Sequence, residues 1–316
     1  MQPEVEVARR AGQLTFGVLL WILCFAPDPA VFSTAPPVQA PVATAAPATL
    51  PSDAEIERFL LNAKLVKTRG AGKGVTGSIR ATMTDGTLTH DVHIQTIDES
   101  KKEFRSAQGV EFNFRDSWMF NVAAYKIDRL LGMGLVPVSV PRRHRTAPGA
   151  FTWWVDDVMM DEGDRLKKKI APPNSARWSE QMQLVRMFDQ LIANIDRNMG
   201  NLVITRDWRI WAIDHTRAFR YSRAPRSTAG LTGIDRTTLQ KLEALEFATL
   251  QKEIGEYISD ADIRTMLSRR DGIVAHYKTL GDSAAYDRRD HTGGCGSSVG
   301  STGSDRSNGS DRSRNP

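Results

Sequence analysis

The chain has 316 residues, with 42 Lys and Arg against 37 Asp and Glu, 41% hydrophobic residues, 24 Gly, 15 Pro and 2 Cys. That is a globular composition, and it excludes a wholly disordered, collagenous or polytopic membrane protein. The net charge of +5 belongs to the middle of the chain, since residues 1–52 carry −1 and residues 286–316 carry +1; such an excess suits an anionic ligand but is too dilute for nucleic acid.

The ends differ from the middle. Arg9 and Arg10 precede an apolar stretch of 13 residues, Leu14 to Ala26, which stops at Pro27. A membrane-spanning helix wants about 20 apolar residues and the apolar core of an export signal roughly 7–15. Residues 1–26 therefore read as an export signal or membrane anchor, with a buried N-terminal helix as the alternative. The first reading predicts an extracytoplasmic protein, exported or membrane-tethered, and the second a cytoplasmic one. Residues 27–52 form a Pro/Ala-rich linker, and residues 286–316 a Gly/Ser-rich tail expected to be disordered. Cys24 and Cys295 fall in these ends, so no disulfide staples the core.

The foldable part is residues 53–285. Ser52 and Glu55 have capping-box spacing ahead of Ile56, Phe59 and Leu60, so a helix is expected from Asp53, ending before the loop Gly70-Ala-Gly-Lys-Gly74. Residues 75–83 and 88–97 flank Asp85-Gly86 as a hairpin. Asp116-Ser117 opens a helical pattern that runs to Gly132. Two β-prone runs, 136–140 and 151–160, then flank a basic stretch, Arg142-Arg-His-Arg145, expected as a solvated turn. Pro172-Pro173 marks the join between an N-terminal part, 53–171, and a C-terminal part, 172–285. The latter has helical patterns at 178–194, 238–250 and 260–279, interrupted by one hairpin, 201–205 with 209–214.

That hairpin carries the chemistry. An antiparallel ribbon returns the chain to the edge where it began, so Asn201 and Asp214 must lie close together, with Asp196 in the loop just before. Two carboxylates and an amide supply hard oxygen ligands suited to Mg2+ or Mn2+ carrying a nucleotide phosphate. On spacing alone a second reading stands, in which Asp196 and Asn201 are turn residues and Asp214 a helix cap.

The segment Asp196-Arg-Asn-Met-Gly-Asn201 resembles the catalytic loop of the phosphatidylinositol 3/4-kinase-like branch of the kinase fold, and Ile213-Asp-His215 resembles its metal-binding segment. Residues 116–132, followed by Val136-Pro137, are similar to the regulatory helix of the secretory-pathway kinases of Golgi casein kinase type and their bacterial relatives. The resemblance covers roughly residues 65–280. It implies an α+β, two-lobed, protein-kinase-like fold, with a small β-rich N-lobe containing one long helix and a mainly helical C-lobe carrying the catalytic hairpin. By that resemblance Asp196 is the catalytic base, and Asn201 and Asp214 hold the metal. Gly72, Lys73 and Gly74 cover the phosphates of ATP, and the stretch from Trp153 to Asp161, including Asp157, is the hinge that receives the nucleotide.

Two positions depart from the pattern. Gln95 stands where the superfamily has a phosphate-gripping Lys, and Asn121 where it has the Glu partner of that Lys. Lys101 or Lys102, from what reads as an adjacent loop, is a candidate substitute. A Walker loop is excluded because Gly74 follows Lys73, and neither zinc-ligand His spacing nor a Gly-x-Ser-x-Gly motif occurs. Trp153, Trp154, Trp208 and Trp211 read as packing residues, and His215 as either an active-site acid or a structural hydrogen-bond partner. The expectation is a metal-dependent transfer of the γ-phosphate of ATP to an unidentified hydroxyl acceptor. The alternative is an inactive, pseudokinase-type binding module at the cell envelope.

Overall fold

The computed structural model describes residues 51–70, 78–106, 109–194 and 197–288. The expected export signal, nearly all of the linker, the loop containing Gly72, Lys73 and Gly74, the residue Asp196 and the tail from 289 onward lie outside the described residues. Among the described residues no helix is long and apolar enough to cross a membrane.

Helix α1 (Asp53–Asn62) starts where the capping box requires: the Glu55 amide donates to Ser52 Oγ, and Ser52 N donates to Glu55 Oε2 at 2.7 Å. It buries Ile56, Phe59 and Leu60. The helix ends eight residues before Gly70, because Lys64–Gly70 forms strand β1. Val66 and Thr68 favour extended backbone, and the buried helical face closes with Ala63 at the C-cap. β2 (Ile79–Thr84) and β3 (Thr89–Gln95) make the expected hairpin, its turn closed by Asp85 Oδ1 accepting from the amides of Thr87 and Leu88 at 2.9 and 2.8 Å.

The polar stretch after β3 is a second hairpin rather than a loop. β4 (Asp98–Ser106) and β5 (Gly109–Ser117) pair along their whole length. Asp116 and Ser117 finish β5, so helix α2 (Met119–Leu131) begins later than the sequence pattern suggested. It ends at Gly132, whose φ of 67° is left-handed. Just beyond, Asp128 Oδ1 accepts the Leu135 amide at 2.9 Å, while Arg129 pairs with Asp53 of α1.

β6 (Ser139–His144) and β7 (Ala147–Trp153) follow. The basic stretch expected as a turn is therefore mostly strand. Arg142 donates to the Leu60 carbonyl of α1 at 2.7 Å and lies over Phe151 of β7, so protein partners, not solvent, fix its conformation. The sheet order is β1-β2-β3-β7-β6, with every pair antiparallel. Gly149 is required here: a Cβ on it would stand 2.6 Å from the Gln95 carbonyl oxygen, so only glycine lets β7 pack this close to the end of β3.

β8 (Val158–Asp161) and α3 (Glu162–Lys167) complete the first half, and Pro172-Pro173 lies between α3 and helix α4 (Ser175–Leu191). The expected C-terminal hairpin is β9 (Leu202–Thr205) and β10 (Ile210–Ala212), and β8 pairs with β9 to make a three-stranded sheet. After β11 (Ile234–Asp235) the pattern at 238–250 resolves into two helices, α5 (Arg236–Glu243) and α6 (Phe247–Ile254). Helix α7 (Asp260–Leu280) is capped by Ser259 and Asp262, and β12 (Ala285–Tyr286) pairs parallel with β11. The folded body thus continues past the expected limit at 285. Tyr286 Oη donates to the Glu180 carbonyl, and Arg288 donates to the carbonyls of Gly132 and Met133 at 2.7 and 3.0 Å. One apolar cluster runs from Phe59 and Ile94 through Ile127 of α2 to Leu184, Leu202 and Ile273.

Candidate functional site

The hairpin β9–β10 is held rigidly because its inward side chains, Leu202, Ile204, Ile210 and Ala212, are all essentially buried. Its open end is closed by two backbone bonds, Ile213 N to the Asn201 carbonyl and Ala212 N to the Leu135 carbonyl, each 2.9 Å. These bring the predicted metal ligands together: Asn201 Nδ2 lies 3.5 Å from Asp214 Oδ2. Asp214 has a left-handed φ of 56° and an exposed carboxylate. Its Oδ1 accepts from Thr216 Oγ1 at 3.1 Å and from Gln95 Nε2 at 3.3 Å.

Gln95 and Asn121 are also brought together, and both are buried. The Asn121 amide nitrogen donates to Gln95 Oε1, and Asn121 Oδ1 accepts from the His215 backbone amide at 2.7 Å. A continuous line of hydrogen bonds therefore runs from β3 through the first turn of α2 to the segment that carries Asp214. The line has the connectivity of a Lys/Glu pair but no charge.

The loop before β9 is anchored by Arg197, which sequence reading noted only as a neighbour of Asp196. Its guanidinium grips the Asp189 carboxylate from 2.7 to 3.2 Å and donates to the Ile213 carbonyl at 2.9 Å, with both side chains largely buried. Asp189 also accepts from Asn194 Nδ2 at 3.0 Å, so α4, the loop and the Asp214 segment are tied at one point. Nothing in the spacing of Asp189 and Arg197 announces that pairing.

The remaining residues fall elsewhere. Asp157 is exposed, with φ 53°, and its carbonyl accepts from Arg206 N at 3.1 Å. That places it beside the β9–β10 turn, at the opposite end of the hairpin from Asn201 and Asp214. Lys101 and Lys102 lie in strand β4, not in a loop, and the Lys101 ammonium is paired with Glu99 at 2.6 Å. Trp153 stacks on His90, with centroids 3.4 Å apart, and Trp154 and Trp211 lie under Arg80 and Arg209. Trp208 meets Trp178 edge-on.

Electrostatics around Asp214 are set by burial. The His215 ring packs edge-on against Phe188, and burial, reinforced by the Arg197 charge, holds its pKa well below the ordinary value. A neutral ring with no hydrogen-bond partner at Nε2 does not fit an active-site acid; the residue bonds through its backbone amide instead. Burial likewise lowers the pKa of His93, against the pull of Asp214. Asp116, at the end of β5, has its carboxyl pushed up by burial; the Thr216 hydroxyl opposes that shift and the Asp214 charge adds to it. Sequence reading gave neither Asp116 nor Thr216 a role in the site.

Solved structures share this architecture. The structure of hydra Fam20 with sugar superposes with a TM-score of 0.52 at 16% identity, over 77% of this chain and 95% of that one. The Golgi casein kinase with Mn/ADP bound gives 0.50 at 13% identity, over 74% of this chain and 78% of that one. No family model matches the sequence, and no curated protein matches it. The chain therefore has an atypical kinase-like α+β fold.

Proposed function

We propose that this kinase-like fold works as a phosphotransferase that moves the γ-phosphate of ATP to a hydroxyl acceptor with the help of Mg2+ or Mn2+. The observation that carries the reading is the meeting of Asn201 and Asp214 at the open end of a buried hairpin, with the Gln95–Asn121 line ending on the same carboxylate. The donor set fits the metal: an exposed carboxylate and an adjacent amide are hard oxygen donors, leaving positions for phosphate and water. When bound, the ion would neutralise charge that builds on the phosphoryl oxygens.

The chain's own residues supply position. Arg197 and Asp189 anchor the backbone directly after Asp196, the proposed base, which would accept the acceptor's hydroxyl proton. Thr216 and Gln95 orient Asp214 by donating to one oxygen, and Asn201 meets the other. The glycine loop with Gly72, Lys73 and Gly74 would cover the phosphates, and the stretch from Trp153 to Asp161 would receive the base of the nucleotide. Support for nucleotide and metal comes from the Golgi casein kinase, whose structure holds Mn/ADP. The apolar stretch Leu14 to Ala26 supports an exported or tethered location, which protease accessibility in intact cells would test.

Substituting Asp196→Ala and Asp214→Ala is expected to abolish phosphotransfer while the fold persists. Retained activity in both folded variants would overturn the assignment. One observation favours a second reading as an inactive binding module: the buried Gln95–Asn121 pair carries no charge to grip a triphosphate. The double change Gln95→Lys with Asn121→Glu separates the two, since gain of phosphotransfer supports the inactive scaffold and loss of existing activity supports a working, distinct site.

A further inference from the structure

The Gln95–Asn121 pair carries neither charge of a Lys/Glu pair, and a carboxylate stands nearby that no step so far uses. Asp116 is 5% exposed, yet its Oδ1 has no hydrogen-bond partner. A buried polar atom left unpaired is costly, and a carboxylate oxygen more so, which points to an unseen water or ion.

Its surroundings are those of the metal site. Asp116 lies against Thr216, whose hydroxyl donates to Asp214 Oδ1 at 3.1 Å, and the Asp214 charge reaches it. Its backbone position is fixed: Ser117 N donates to the Thr216 carbonyl at 2.8 Å, and Trp118 N to the Ile97 carbonyl at 2.7 Å. Asp116 also pairs across the ribbon with Glu99, and Arg217 offsets part of the local negative charge. Asp116 thus approaches the Asp214 segment from the end of β5, a few residues before Asn121 enters from α2.

We propose that Asp116 is a further carboxylate of the metal site, using its unpartnered Oδ1 to hold the cation that Asp214 and Asn201 bind. This inference rests on the metal-dependent reading above. It supplies, from the strand before α2, the negative charge that a glutamate at position 121 would have brought from α2 itself.

The test is Mn2+ titration of the full chain in the presence of ADP, with free Mn2+ followed by electron paramagnetic resonance. Asp116→Asn keeps the shape of the side chain and is expected to weaken Mn2+ binding roughly 10- to 100-fold. Asp116→Glu, which restores the charge at a longer reach, is expected to recover part of the loss. Far-UV circular dichroism of both variants should match the parent. Wild-type affinity in Asp116→Asn, alongside lost binding in Asp214→Ala, would overturn the inference and leave the metal site standing. Undiminished binding in Asp214→Ala, or none in the parent, would remove the metal site and this inference together. Should Asp116→Asn not fold, Asp116→Glu decides: an Mn2+ affinity and spectrum identical to the parent's would overturn the proposal.

Discussion

Two hairpins meet at Thr216, and they are built on opposite terms. β9–β10 is short and buries Leu202, Ile204, Ile210 and Ala212, so it can hold Asn201 and Asp214 in fixed register. β4–β5 is long and largely solvent-facing, with Phe112 69% exposed, and it is steadied toward its turn by Phe104 against Phe114 and by Glu111 with Arg217 and Arg220. Only its last two residues reach the site. The first hairpin acts as a scaffold, and the second as an arm that delivers Asp116.

The largest effect should come from the anchor of the scaffold. Asp189→Ala leaves the Arg197 guanidinium buried without its counter-charge, which is expected to cost about 3–5 kcal/mol in urea denaturation. Ile204→Ala in β9 should follow at about 2–5 kcal/mol, because it opens a cavity in a fully buried strand.

Asp91 of β3 tests the sheet that positions Gln95. Burial pushes its carboxyl up, but the Thr82 hydroxyl and the Arg80 and Arg69 guanidiniums outweigh that and hold its pKa below the ordinary value. A folded pKa below the unfolded one contributes stability above the unfolded value, lost as the pH falls through the folded value. Asp91→Asn is therefore expected to cost about 1 kcal/mol at neutral pH, screened by partial exposure, and progressively less below about pH 4. A cost that persisted unchanged into acid would show that the charge is not what matters there. The smallest effect belongs to the arm: Phe112→Ala should stay within about 0.5 kcal/mol. If it cost as much as Ile204→Ala, the contrast between the hairpins would collapse.

The same contrast explains what could be read in advance. β9–β10 and the β2–β3 hairpin announce themselves through β-prone runs on either side of a turn, α1 through its capping box and α7 through its helical pattern. In β5 Val110, Phe112 and Phe114 alternate with polar residues, but β4 has charged residues on both faces and no apolar run to match, so their pairing shows only in three dimensions. β1 is exposed along its whole length and lacks that signal too. Within the site, Asn201 and Asp214 were legible because a tight hairpin forces its two ends together whatever else the chain does. Gln95 and Asn121 were placed by resemblance to a charged pair, and the structure brings them into contact. Thr216, Asp116 and the Asp189–Arg197 tie depend on how separate elements pack, which no local pattern records. The two readings of His215, acid or structural partner, could not be separated in advance because flanking residues do not reveal how completely a ring is buried.

On the proposed function, Asp214 organises a metal-dependent nucleotide site. The most direct test is the thermal midpoint of the full chain with and without ATP, in Mg2+ and in Mn2+, beside the Asp214→Ala variant. With ATP at about 100 times its dissociation constant, the account predicts roughly 2.7 kcal/mol of added stability, dependent on the metal and absent in the variant. No shift with either metal, or an equal shift in Asp214→Ala, would contradict it.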